Sequence, residues 1–126
     1  MLCGTHDGSH HADDVMAAAI LQNVYYEDLE IIRTRDPARL NECDLVFDVG
    51  GDYEPDRLMF DHHQFKNPSD LARPNGVPYA SAGLLWRYYE RRLVGSIELG
   101  QMVDQRLIQP IDAVDTGTQL VVDPTS

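Results

Sequence analysis

The chain has 126 residues, 43% of them hydrophobic, and a formal charge of −11. That length and apolar content fit one packed domain and exclude a disordered chain. The acidic surplus repels phosphate backbones and anionic membranes, which argues against a duplex nucleic-acid binder, and no apolar run approaches the length of a membrane span.

The N-terminus, Met1-Leu2-Cys3-Gly4-Thr5, has no basic region ahead of an apolar stretch, so no signal peptide is expected. Leu2 to Thr5 reads as a first strand ending in a polar loop. Asp13 to Val24 reads as a helix whose apolar positions Val15, Ala18 and Ala19, and Met16, Ile20 and Val24, recur at helical spacing. Leu29 to Thr34 is a second strand. Pro37 to Asn41 is a short helix opened by Asp36 as cap. Asp44 to Val49 is apolar enough for a central strand, and Gly50-Gly51 ends it. Tyr53 to Phe60 predicts a hairpin turning at Glu54-Pro55-Asp56-Arg57. Asn67 to Pro78 reads as a loop and Ala80 to Val94 as a helix. Ile97 to Gln109 is a further helix, with Leu99, Val103 and Leu107 on one stripe. The stripe continues through Ile111 and Val114, so a kink or restart is expected at Pro110. Cys3 and Cys43 are expected as free thiols of a reducing cytoplasm. Strand-helix alternation predicts an α/β fold, a three-layer, Rossmann-like domain with a mostly parallel sheet.

In such sheets ligands bind beyond the carboxyl ends of the strands. Acidic and histidine clusters follow three predicted strands: His6-Asp7-Gly8-Ser9-His10-His11-Ala12-Asp13-Asp14, then Asp48, then Asp61-His62-His63-Gln64. A fourth cluster is Asp112-Ala113-Val114-Asp115-Thr116-Gly117. All five histidines lie in these clusters and neither cysteine does. Mixed imidazole and carboxylate donors suit manganese, or iron, cobalt or zinc, rather than a cysteine-rich structural zinc site. A binuclear centre needs a carboxylate that bridges two ions about 4 Å apart, which together activate a water and clamp phosphoryl oxygens. Arg33 and Arg35, two apart on a strand, are candidates to clamp a phosphate; ion pairs with nearby acids are the alternative. Ser81-Ala82-Gly83 at a helix start offers amides to an anion, or small residues for close packing.

These stretches resemble the DHH phosphoesterase superfamily, and more closely the melanocyte-proliferating-gene family of DHH-type nucleases. The matching runs are Thr5 to Asp14, Arg33 to Pro37, Phe47 to Gly51 with Tyr53 and Pro55, Phe60 to Gln64, Ser81 to Leu84 and Ile111 to Gly117. The resemblance implies His6, His11 and Asp13 as first-motif metal ligands and Asp48 as the bridging carboxylate. It implies His62 and Asp115 as further ligands, with Asp112 competing for the place of Asp115. His63 would face the phosphate as general acid, and Asp61 would orient a histidine. The family usually has an aromatic at His10, which makes His10 an alternative ligand only.

The resemblance implies a cofactor of two divalent ions, manganese first, with magnesium, cobalt, iron or zinc as substitutes. It also implies hydrolysis of phosphodiesters in nucleotides, oligonucleotides or RNA ends. Two ions would raise the charge from −11 to about −7, which suits a small phosphate compound or a short single strand better than duplex DNA. Residues 1–126 are expected to be the phosphoesterase core alone, without the basic C-terminal domain of the relatives; a homodimer would supply the missing wall. The rival readings are an inorganic pyrophosphatase or small phosphatase of the same superfamily, and a non-catalytic metal-binding module.

Overall fold

The computed structural model of the chain describes residues 1–118. Strand β1 (Leu2–Thr5) is an interior strand of a five-stranded sheet, second from one edge. It pairs in parallel with β2 (Glu30–Arg33) on one side and β3 (Leu45–Phe47) on the other. β3 pairs in parallel with β5 (Met59–Phe60), and β4 (Tyr53–Glu54) closes the edge antiparallel to β5. The order β2-β1-β3-β5-β4 gives the expected mostly parallel sheet with one antiparallel edge. β4 and β5 form the expected hairpin. Pro55–Arg57 makes its 3₁₀ turn, and Leu58 takes the left-handed φ of 56° that brings the chain back.

The helices are α1 (Ala12–Tyr25), α2 (Pro37–Leu40), α3 (Ser81–Leu93), α4 (Ile97–Val103) and α5 (Gln109–Asp115). As expected, Asp36 caps α2: its carboxylate accepts the Ala38 N–H at 3.0 Å, with Pro37 in the first turn. Helices α1 and α3 cover the core face of the sheet. There Cys3, Leu45, Phe47 and Phe60 pack with Ile20, Leu21, Leu85 and Tyr89, all buried. Alternation along β1 turns Gly4 to the opposite face. A Cβ on Gly4 would stand 2.8 Å from Cys43 Sγ and 2.9 Å from Leu40 Cδ2, so only glycine lets α2 sit this close. Cys3 and Cys43 are unbonded thiols. Among the described residues no helix is long and apolar enough to cross a membrane.

Three expectations need correcting. The buried stripe of α1 is Asp13, Asp14, Ala17, Ile20 and Leu21, while Val15 and Ala19 face outward. Two aspartates hold inward positions there, which moves the apolar face away from the hydrophobic pattern. β3 is shorter than Asp44 to Val49, because Asp48 enters the left-handed region at φ 59° and Asp44 instead accepts the Leu2 N–H at 2.8 Å. The break near Pro110 comes a turn early, as a π-helical turn at Asp104–Ile108. The Gln109 N–H reaches back to the Asp104 carbonyl, an i→i−5 bond. The extra residue rotates the stripe, so Ile108 is buried while Leu107 is 45% exposed. Pro110 falls just after this turn, in the first turn of α5.

The loop from Asn67 to Pro78 is tied down by Arg73, which is only 5% exposed. Its guanidinium donates to both carboxylate oxygens of Asp104, at 3.0 and 2.8 Å, and to Asp112 at 2.7 Å. It also donates to the Pro78 carbonyl and lies 4.3 Å over the Tyr79 ring. Replacing Arg73 by Met leaves the Asp112 carboxyl, which has no exposed surface, without its cation. The variant is expected to lose about 3–5 kcal/mol of stability in urea unfolding, whereas Arg57→Met, which breaks an exposed pair with Glu54, should cost under about 1 kcal/mol.

Candidate metal centre

The carboxyl ends of β1, β3 and β5 deliver three of the four clusters to one side of the sheet, and α5 brings the fourth over them. His6 follows β1, Asp48 follows β3, and Asp61-His62-His63 follows β5. His11 stands at the N-cap of α1, with Asp13 and Asp14 in its first turn. A cavity of about 620 Å³ is lined by His6, His11, Asp13, Arg35, Asp48, Asp61, His63 and Asp115, among others.

Asp48 is the hub. Its Oδ2 lies 3.1 Å from His6 Nε2, and its Oδ1 lies 3.8 Å from His62 Nδ1 and 3.6 Å from His63 Nδ1. A buried aspartate in the left-handed region stores backbone strain, a common mark of functional positions. The turn that follows is made by Gly50 and Gly51, both at positive φ. Two sets of donor atoms each gather within 4.8 Å: Asp48, Asp61, His62 and His63, and Asp13, His62 and Asp115.

The hydrogen bonds fix the tautomers of two histidines. His6 Nδ1 lies 2.8 Å from the Asp7 carbonyl, which can only accept, so Nδ1 carries the proton. The Ser81 hydroxyl gives its proton to the Phe60 carbonyl at 2.8 Å and therefore accepts from His62 Nδ1 at 3.0 Å. In the neutral rings both Nε2 atoms are then bare. Yet His6 Nε2 faces Asp48 and, at 3.3 Å, Asp14, while His62 Nε2 lies 2.6 Å from Asp115. Bare nitrogens and carboxylates at such distances repel unless a proton or a cation lies between them. Two buried carboxylate oxygens, Asp13 Oδ2 and Asp48 Oδ1, have no hydrogen-bond partner. Donor chemistry, orphaned oxygens and tautomers all fit a divalent cation.

The charges agree. Burial pushes the Asp13 carboxyl far above its ordinary range, and the neighbouring Asp48 and Asp115 push it further. Burial also raises Asp48, against the pull of His63, His62 and His6. Asp61 behaves oppositely. Burial works against its charge, but hydrogen bonds from His63 and from the Gly51 N–H prevail and hold it at about 2. The bond to Asp61, 2.7 Å long, in turn raises the His63 imidazole, which burial alone would lower. His63 is exposed to the cavity and stacks on His62 at 4.3 Å.

The remaining candidates have distinct places. Arg35 lines the cavity and donates to Asp7 at 2.9 Å. Arg33 instead braces the loop after β1, donating to the carbonyls of His6 and Gly8. Ser81 and Gly83 are fully enclosed at the start of α3. The Gly83 N–H goes to Asp112 at 3.1 Å and the Ala82 N–H to Asp13 at 2.7 Å. Asp112 faces Arg73 and does not line the cavity, whereas Asp115 does. His10 pairs with Asp14 at 3.1 Å from a largely exposed position outside the lining. Asp14 holds His10, His6 and the His11 N–H together.

Fold and site thus define an α/β protein with a carboxylate–imidazole centre at the carboxyl edge of its sheet. Residues 2–125 match the MYG1 exonuclease family model, described as an uncharacterised protein family (UPF0160). The MYG1 exonuclease of Homo sapiens is 38% identical over 131 residues, covering 90% of this chain and 35% of the human protein. That of Bos taurus is 36% identical over 131 residues, covering 90% and 34%. The MYG1 protein of Chlamydia trachomatis is 36% identical over 115 residues, covering 90% and 37%. No solved structure matches the chain. The chain belongs to the MYG1 exonuclease family (UPF0160), and it spans about a third of the length of these curated relatives.

Two predictions follow from the charges and tautomers. Ser81→Ala frees the His62 ring without touching a candidate ligand, and is expected to weaken manganese binding about 10–100-fold in calorimetric titration. For the metal-free chain, carboxyls raised from 3.8 keep their protons in the fold after the unfolded chain has lost them. Its melting temperature should therefore fall as pH climbs from about 4 towards neutrality, and manganese affinity should rise over the same range with release of protons. A proton-neutral, pH-independent titration would contradict that assignment.

Proposed function

We propose that the chain is the core of a DHH-type phosphoesterase that hydrolyses phosphodiester bonds in nucleotides, oligonucleotides or RNA ends with two manganese ions. The observation that carries this reading is the pair of imidazole Nε2 atoms, of His6 and His62, set at 3.1 and 2.6 Å against buried Asp48 and partly buried Asp115, beside two buried carboxylate oxygens without a hydrogen-bond partner. His6, His11 and Asp13 would hold one ion, His62 and Asp115 the other, and Asp48 would bridge them. Bound divalent ions supply an activated water and neutralise the phosphoryl oxygens.

The side chains supply the rest. Asp61, charged at any physiological pH, orients His63 and favours its protonated form, which suits it to give a proton to the leaving oxygen. Arg35 reaches the same cavity with a guanidinium that can grip a phosphate oxygen. The names of the mammalian relatives, exonucleases, support a nuclease over a pyrophosphatase. The helices against the sheet support a three-layer, Rossmann-like architecture, and the free thiols support a reducing cytoplasmic setting.

Metal content and manganese-dependent hydrolysis of bis-p-nitrophenyl phosphate test the reading in wild type and Asp48→Ala. Near two ions per chain is expected for the wild type, with turnover falling at least about 10³-fold in the variant. Bound metal without turnover would favour a non-catalytic binding module, and no bound metal would sink both.

A further inference from the structure

A second cavity, of about 270 Å³, adjoins the first and shares Arg35, Val49 and Gly50 with it. It lies against the side of the sheet that α2 covers, between Pro37 and Leu40 of the helix and Val46 and Met59 of the strands. Asn41 and Asp52 complete its wall. Apart from the three shared residues, none of these lines the cavity of the carboxylate–imidazole centre.

Aliphatic side chains from α2 and from β3 and β5 give two apolar sides, while Asn41 and Asp52 offer an amide and a carboxylate at the margin. A planar ring with apolar faces and a hydrogen-bonding edge matches that lining. The volume falls below the roughly 300 Å³ at which sites for drug-sized ligands begin, so a single ring system fits better than a dinucleotide. Arg35 stands at the junction, where a phosphate next to such a ring would pass.

We infer that this cavity binds the nucleobase of the nucleotide whose phosphate is cleaved at the centre, so that substrates carrying a base are preferred over simple phosphodiesters. The inference rests on the phosphoesterase reading for its substrate, while Pro37, Leu40, Asn41, Val46, Asp52 and Met59 lie outside the lining of the main cavity. Attraction of the base is an apolar-pocket effect, worth roughly tenfold or more in kcat/KM.

The test compares two manganese-dependent substrates with the same leaving group, thymidine 5′-(p-nitrophenyl phosphate) and methyl p-nitrophenyl phosphate. Wild type should prefer the thymidine ester by roughly tenfold or more, mainly through KM. Met59→Trp, which fills the cavity from a partly exposed strand position, should erase that preference while leaving the methyl ester unchanged. An equal preference in wild type and variant, or none in wild type, would overturn the subsite. If neither ester is hydrolysed, the phosphoesterase reading fails separately. The subsite is then decided by methyl NMR of wild type with thymidine monophosphate: shifts at Val46, Leu40 and Met59 support it, and unchanged methyls refute it. The same spectra decide the matter if Met59→Trp does not fold.

Discussion

Carboxylates are buried here against imidazole nitrogens, and much of the described structure serves to hold them so. Leaving water is costly for one charge and worse for several of the same sign. Asp13 has 1% exposure, Asp48 has 4% and Asp61 has 3%. Of these three, Asp61 alone has both oxygens answered among the described residues, by the Gly51 and His62 amides and the His63 ring. Asp13 and Asp48 each keep one buried oxygen without a partner. A fold that tolerates such a deficit makes sense when a cation is to be bound, because the repulsion that weakens the metal-free state becomes attraction for the ion.

The start of α3 shows how the deficit is sustained. Three consecutive residues each fix a different support. The Ser81 hydroxyl sets the His62 tautomer, the Ala82 N–H holds one oxygen of Asp13, and the Gly83 N–H holds Asp112. Asp112 in turn fastens Arg73 and the loop above it. A Cβ on Gly83 would stand 1.8 Å from Asp112 Oδ2, so this position admits glycine alone. The helix N-terminus, with its partial positive charge, is spent on the protein's own carboxylates rather than on a foreign anion.

This explains how far the sequence could be read. The strand-loop positions of His6, Asp48 and Asp61-His62-His63 were legible because strands end in sequence where ligands gather in space. The parallel sheet was legible from the same alternation. The stripe of α1 was not, since its inward positions 13 and 14 are acidic and hydrophobic periodicity cannot see a buried charge. The π-helical turn was hidden too: one inserted residue per turn leaves no mark on composition, though Pro110 signalled a disturbance nearby. Arg73 was invisible because its partners, Asp104 and Asp112, lie 31 and 39 residues away. Ser81 was legible as a small polar residue at a helix start, but its acceptor role depends on the Phe60 carbonyl, which sequence does not place.

Charge also orders events at the centre. The chain carries −11, and among the described residues Arg35 is the only arginine or lysine lining the main cavity. Arg35 is itself paired with Asp7. Without bound cations an approaching phosphate would meet an acidic cavity with the shared Arg35 guanidinium and the His63 ring to set against it. At the short distances inside a partly enclosed cavity that repulsion is weakly screened. Under the proposed function, divalent ions would reverse the sign where it matters and leave the outer surface acidic, so cation binding would precede anion binding. The acidic composition that argues against a general nucleic-acid binder is therefore compatible with a phosphodiester substrate, provided attraction is confined to the few ångströms around the metal-loaded donors.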